Sequence, residues 1–85
     1  MAGYKIFFKR SVGKDLKSIP KKDLKKILER IEKLAENPRP SGVEKLTGQE
    51  RYRVRQGLYR IVYSIQDNGL TVWVVKVGQR KDIYR

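Results

Sequence analysis

Eighty-five residues make room for one domain, 1–85, and 39% apolar residues is lean for a chain that must bury a core. The 21 Lys and Arg against 9 Asp and Glu leave +12, a self-repelling excess that points to an anionic partner such as nucleic acid, an acidic protein or an acidic membrane surface. Neither cysteine nor histidine occurs, which excludes disulfides, thiolate nucleophiles, Cys- or His-based metal sites, the Ser-His-Asp triad and an imidazole base.

Tyr4, Ile6 and Phe8 alternate with Lys5 and Phe7, the period of a first strand, with Phe7 implying that neither face is fully polar. Ser11 is a candidate cap for a short helix in which Val12, Leu16 and Ile19 share a face, and Pro20 ends it and suits the first turn of the next helix. From Lys21 to about Glu36, the stripe Leu24, Ile27, Leu28, Ile31, Leu34 and Ala35 predicts an amphipathic helix. Its charges read as a solvated face, with Glu29 and Lys33 a favourable pair, because Glu29, Glu32 and Glu36 would repel phosphate.

The stretch 37–42, with Pro38, Pro40 and Gly42, is a loop by composition; a short segment around Lys45 and Leu46 and a turn at Thr47 and Gly48 follow. Arg51 to Arg55 predicts a strand with three arginines on one face and Tyr52 with Val54 on the other. Gly57 breaks it. Tyr59, Ile61, Tyr63 and Ile65 then alternate with Arg60, Val62 and Ser64, Asp67-Asn68-Gly69 signals a hairpin, and Leu70 to Val77 reads as a strand buried on both faces that Gly78 stops. The remainder, Gln79 to Arg85, reads as a polar tail.

The expected fold is α+β, with an N-terminal strand and two helices packed on one face of a small, mainly antiparallel sheet completed by a C-terminal three-stranded meander. Two helices cover one face, so the other is left open and carries Arg53, Arg55 and Arg60. Residues 51–85 hold eight Lys or Arg against two acidic residues, and most of these are arginines, whose guanidinium forks bind phosphate bidentately and stack on bases. Arg53, Arg55, Arg60, Lys76, Arg80, Lys81, Tyr84 and Arg85 come from consecutive elements and can converge. Tyr52, Tyr59, Tyr63, Trp73 and Tyr84 offer stacking surfaces for single-stranded RNA, against which Tyr59, Tyr63 and Trp73 fit the positions of a small aromatic core. Arg51 suits a solvated edge and Lys76 an edge or a site. A charge in the apolar strand Tyr59–Ile65 has no evident packing role, so Arg60 is the informative one.

The run YRVRQGLYRIVYSIQDNGLTVWVVKVGQRKDIYR, from Tyr52 to Arg85, resembles the C-terminal half of the RelE/ParE superfamily of toxins from toxin–antitoxin modules. The order FFKRSVGKDLKSIP, long helix, loop and KLTG extends the resemblance over essentially the whole chain. The resemblance implies a RelE-like, ribosome-dependent messenger-RNA endoribonuclease that inhibits translation, without metal or cofactor, held by a cognate acidic antitoxin in a hetero-oligomer. It places Arg60 at the arginine that holds the scissile phosphate, Arg80 at the one that stabilises charge or protonates the leaving oxygen, and Tyr84 at the C-terminal tyrosine; these three are the catalytic candidates. Arg53 and Arg55 fall where the best-known RelE toxin has lysines, and with Lys76, Lys81 and Arg85 they are the RNA-binding candidates. Gln79 stands where many relatives have histidine, so no base is available there, and Tyr84 remains the candidate base, its phenol lowered by neighbouring cations. The alternatives are a ParE-like inhibitor of DNA gyrase and a basic RNA-binding module. No run approaches the roughly 20 apolar residues of a membrane span and no targeting signal is visible, so a cytoplasmic protein without membrane association is expected.

Overall fold

A computed structural model describes residues 3–46 and 51–79. The elements are β1 (Lys5–Phe8), α1 (Arg10–Lys17), α2 (Lys21–Glu36), β2 (Glu44–Lys45), β3 (Arg51–Gln56), β4 (Tyr59–Gln66) and β5 (Thr71–Gln79). They form one five-stranded sheet in the order β1-β5-β4-β3-β2, in which β1 runs parallel to β5 and every other pair is antiparallel.

The two helices cover one face. Val12 of α1 and Ile27, Ile31 and Leu34 of α2 are buried in one cluster with Val54, Ile61, Tyr63, Val72, Val74 and Val77. Each such aliphatic side chain contributes about 1.5–3 kcal/mol when fully withdrawn from water. Leu28, expected in the apolar stripe, is instead at the solvent margin, because the stripe is wider than the strip of sheet it faces. Neither helix has a side-chain cap: Lys9, and not Ser11, precedes α1, and Pro20 precedes α2 with its carbonyl accepting from the N–H groups of Asp23 and Leu24 at 3.0 and 2.8 Å. Asp23 in that first turn complements the positive end of the helix dipole.

Two turns set the register of the meander. Gln56 pairs with Tyr59, so the β3–β4 loop is Gly57-Leu58, with Gly57 at φ +61 in the first central position as a II′ hairpin requires. The β4–β5 loop is Asp67–Leu70, and there the left-handed residue is Leu70 at φ +45. The sequence signal placed the turn correctly, but a four-residue loop closed by the Leu70 N–H on the Asp67 carbonyl, 3.2 Å, moves the strained position past Gly69. Gly78 does not stop β5, which continues to Gln79.

A register shift in β5 against Val62 and Tyr63 leaves Val75 without an opposite residue, so Trp73 and Lys76, three apart, lie in rows of the same face. Trp73 is therefore not a core residue and β5 is not buried on both faces. Trp73 sits across from Ser64 and from Phe7, with which it stacks at 5.1 Å between ring centroids, and it stays 37% exposed. Tyr59 and Tyr63 are core residues, as their spacing predicts.

At the opposite end of β3 and β4 from the Gly57 turn, the proline loop is fastened to the sheet. Asn37 accepts from the Arg39 N–H at 3.1 Å, and the Arg39 guanidinium donates both terminal nitrogens to Asp67 at 3.1 and 3.0 Å. The Tyr4 hydroxyl donates to the same carboxylate at 2.7 Å, Arg39 lies 5.4 Å over the Tyr52 ring, and Tyr52 stacks on Tyr63. The buried Tyr63 hydroxyl donates to the Pro38 carbonyl at 2.6 Å.

Candidate functional site

No helix among the described residues lies over the other face, and its side chains follow from strand pairing. Arg53 is opposite Val62, which is opposite Lys76; one row on, Arg55 is opposite Arg60, which is opposite Gly78. Directly opposed side chains on neighbouring strands have Cβ atoms about 4.5–5.5 Å apart, so Arg55 and Arg60 are like charges placed side by side. Like charges directly opposite one another are unfavourable unless an anion offsets them.

Arg60 differs from the expectation in one respect: its strand position is on the face away from the core, but the residue is only 5% exposed. The neighbour Gly78 carries no side chain, and the long arginine stem finds room within the surface between β3 and β5. Arg55 is exposed and Arg53 is half-buried. Lys76 is partly diverted to the margin of the sheet, where its ammonium lies 3.6 Å from Asp15 of α1. Arg80, Lys81, Tyr84 and Arg85 lie outside the described residues.

The structure adds two residues that the sequence did not single out. Glu44, on the edge strand β2, is paired with Arg53 and accepts from its Nη2 at 2.8 Å. That hydrogen bond, with the nearby charges of Arg53, Arg60 and Arg55, holds the Glu44 carboxyl below the usual carboxylate range, so it is ionised at neutral pH. The second is Arg30 of α2, which with Gly42 and Glu44 lines a cavity of about 280 Å³ shared with Arg53, Arg55 and Arg60. Among the described residues, four arginines and one glutamate thus line one cavity. No local pattern could have shown this, since Glu44 sits in a two-residue strand and Arg30 reads as part of a solvated helix face. Among the described residues no three His, Cys, Asp or Glu side chains converge as metal ligands would.

Chemically, the arrangement can bind phosphodiester oxygens with several forked donors and stabilise charge that develops on them. Its carboxylate can accept a proton or compete with a phosphate for the same arginines.

Comparison with known proteins places this geometry in context. Residues 6–84 match the sequence profile of the family described as the ParE toxin of the type II toxin–antitoxin system parDE. The RelE1 protein of Methanocaldococcus jannaschii is 33% identical over 86 aligned positions, covering 96% of both chains. Toxin RelG of Mycobacterium tuberculosis is 31% identical, covering 96% of this chain and 97% of its own. The archaeal RelE–RelB complex from Pyrococcus horikoshii contains a chain with a TM-score of 0.82 and 31% identity, covering 92% of this chain and 96% of that one.

Proposed function

The chain belongs to the RelE/ParE superfamily of toxins from type II toxin–antitoxin modules, and from that premise we propose that it is a RelE-like endoribonuclease that cuts messenger RNA on the ribosome. The observation that carries the reading is the cluster of arginines, Arg53, Arg55 and Arg60, gathered with Glu44 on a sheet face that no described helix covers.

In this reading, cleavage is attack of a ribose 2′-OH on the adjacent phosphate, giving a cyclic phosphate and releasing the 5′-oxygen with a proton. Arg60, only 5% exposed, binds the scissile phosphate and stabilises the pentacovalent dianion. Arg80 relieves charge on the leaving oxygen, and Arg53, Arg55, Lys76, Lys81 and Arg85 bind the flanking backbone. Tyr84 takes the 2′-OH proton; Glu44 is the competing acceptor, being already ionised and beside the arginines. A carboxylate held low is a weak base, so the site is slow without the ribosome to align the RNA. An acidic antitoxin holds the chain in a hetero-oligomer, as the RelE–RelB complex from Pyrococcus horikoshii suggests, and the protein acts in the cytoplasm.

The test is cleavage of a defined message on ribosomes programmed with it. Cleavage by the wild-type chain and none by Arg60→Gln supports the reading. The matching profile is named for a ParE toxin, which favours gyrase as the second reading; inhibition of gyrase supercoiling with no ribosomal cleavage would replace the first by the second.

A further inference from the structure

We propose that Arg30 is a further RNA-positioning residue: with Arg55 it binds the phosphate next to the one held by Arg60, in the cavity at the outer edge of β3. The inference rests on the RNA-cleaving reading above and names where the strand leaves the sheet.

Edge geometry comes first. Among the described residues β2 pairs only with Arg53 and Tyr52, so β3 from Val54 to Gln56 has no strand partner on its outer side, where Gly42 of the preceding loop lies instead. The cavity of about 280 Å³ opens there, and its lining joins the two faces of the sheet: Val54 belongs to the core, Arg55 and Arg60 to the opposite face, Arg30 to the helix layer. Gly42, on the loop wall, has no side chain, and nothing lies within 4 Å of where a Cβ would stand, so that wall is open.

The second observation is Arg30 itself. Its Nε is buried and has no acceptor among the described residues. Buried polar groups in folded proteins are satisfied almost without exception, and an acceptor oxygen of a bound ligand would satisfy this one. Charge points the same way. Among the described residues Arg30, Arg53, Arg55 and Arg60 line the cavity with Glu44, whose carboxylate accepts from Arg53. A phosphodiester brings a full negative charge and acceptor oxygens that match the guanidinium fork, which a lone backbone carbonyl or a water cannot do. Because Arg55 and Arg60 line both the sheet face and the cavity, an RNA backbone passing from one to the other stays on arginine throughout. The remaining basic residues of α2, among them Lys25, are exposed and project elsewhere.

Binding of a short, fully 2′-O-methylated single-stranded RNA, which cannot be cleaved, is measured by calorimetry across a salt series for the wild type, Arg30→Gln, Arg60→Gln and Lys25→Gln, with circular dichroism confirming the fold. Arg30→Gln is expected to weaken binding by roughly 3–10-fold at low salt and to lower the salt slope by about 0.7, the value for one lost phosphate contact on a single strand. Lys25→Gln, which removes the same charge outside the cavity, is expected to change affinity by less than about twofold. Arg30→Lys covers the case in which the glutamine variant does not fold: it keeps the charge and loses the fork, and is expected to retain the slope with weaker binding. Arg30 variants that bind like the wild type, or no more weakly than Lys25→Gln, overturn the inference while a weakened Arg60→Gln leaves the RNA reading standing. Loss of binding to an acidic peptide but not to RNA on Arg30→Gln also overturns it. Failure of the wild type to bind the RNA at any salt removes both.

Discussion

Arg39 and Arg53 each meet a carboxylate, Asp67 and Glu44 respectively, but the charge around the two pairs is balanced in opposite ways. Arg39 gives Asp67 two parallel hydrogen bonds, a tyrosine hydroxyl fills the remaining demand, and the guanidinium face rests on Tyr52. Every partner there is already supplied. Arg53 gives Glu44 a hydrogen bond of 2.8 Å, the charges of Arg60 and Arg55 also act on that carboxylate, and Arg30 lines the same cavity. An ion pair by itself says little about function; the first pair fastens the proline loop to the sheet, and the second lies in the arginine cluster proposed above to bind RNA.

The comparison is broken most directly by exchanging the roles of its two halves. Arg60→Gln is expected to lower single-turnover cleavage on programmed ribosomes by about 10²-fold or more while the protein remains folded, as loss of a donor to a charged transition state does. Asp67→Asn is expected to leave that rate within a few-fold of the wild type. A collapse of activity in Asp67→Asn, with Arg60→Gln unaffected, would reverse the assignment of the two regions.

A second measurement probes how closed the fastening is. Burial pushes the Tyr63 phenol up to about 12, and its hydroxyl is the donor that satisfies the Pro38 carbonyl. Tyr63→Phe leaves that carbonyl unpaired in the core and is expected to cost about 1–3 kcal/mol in denaturant unfolding. The raised folded value also predicts that this contribution is intact below pH 10 and lost as pH rises through about 12, since only the unfolded chain ionises the phenol in that window.

Acid sharpens the contrast further. Arg39, then Tyr4, hold the Asp67 carboxyl below its usual range, and Arg53 does the same for Glu44. Each depressed group stabilises the fold above the ordinary carboxylate value, and the contribution is lost as pH falls through the lower, folded one. Melting curves from neutral to acid pH should therefore flatten in Asp67→Asn, which lowers the neutral melting temperature by a few degrees. Glu44→Gln is expected to flatten them as well, but to raise RNA affinity at neutral pH, because it removes a competitor for the arginines. A Glu44→Gln variant that binds RNA more weakly would mean that the carboxylate orients Arg53 for the ligand.

The smallest effect concerns the turn that carries Asp67. Leu70 sits at φ +45 and is 47% exposed, so Leu70→Gly relieves a left-handed leucine while giving up little packing. A stabilisation of about 0.5–1 kcal/mol is expected in thermal unfolding. A destabilised variant would show that the leucine side chain matters more than its backbone.

Much of this architecture was legible before the structure, and the failures share a cause. The helices, the meander and the arginine row Arg51, Arg53, Arg55 follow from local periodicity, which needs only near neighbours to be true. Trp73 was misplaced because one unpaired residue in β5 shifts its register, and an extra residue leaves no mark in an alternation of valines. Arg39, Glu44 and Arg30 escaped notice because each acquires its meaning from a partner far along the chain: Arg39 from Asp67, Glu44 from Arg53, and Arg30 from the edge of β3. Resemblance to a family supplied roles for Arg60, Arg80 and Tyr84 that no spacing rule contains.

The sheet also has to live with its own unpaired strands. β5 extends beyond β1, whose last partner is Val74, and its outer side would otherwise present bare N–H groups. There the Asp15 carboxylate of α1 accepts from the Val77 N–H at 3.2 Å and also attracts Lys76. At the other border the outermost strand is only two residues long, Glu44 and Lys45, both charged and exposed. Short or capped borders with charged side chains discourage a second sheet from adding on. The consequence is a tolerance of crowding: this chain should resist stacking into fibrils at high concentration, and Asp15→Ala, by uncovering the end of β5, should shorten the lag before thioflavin-positive aggregation.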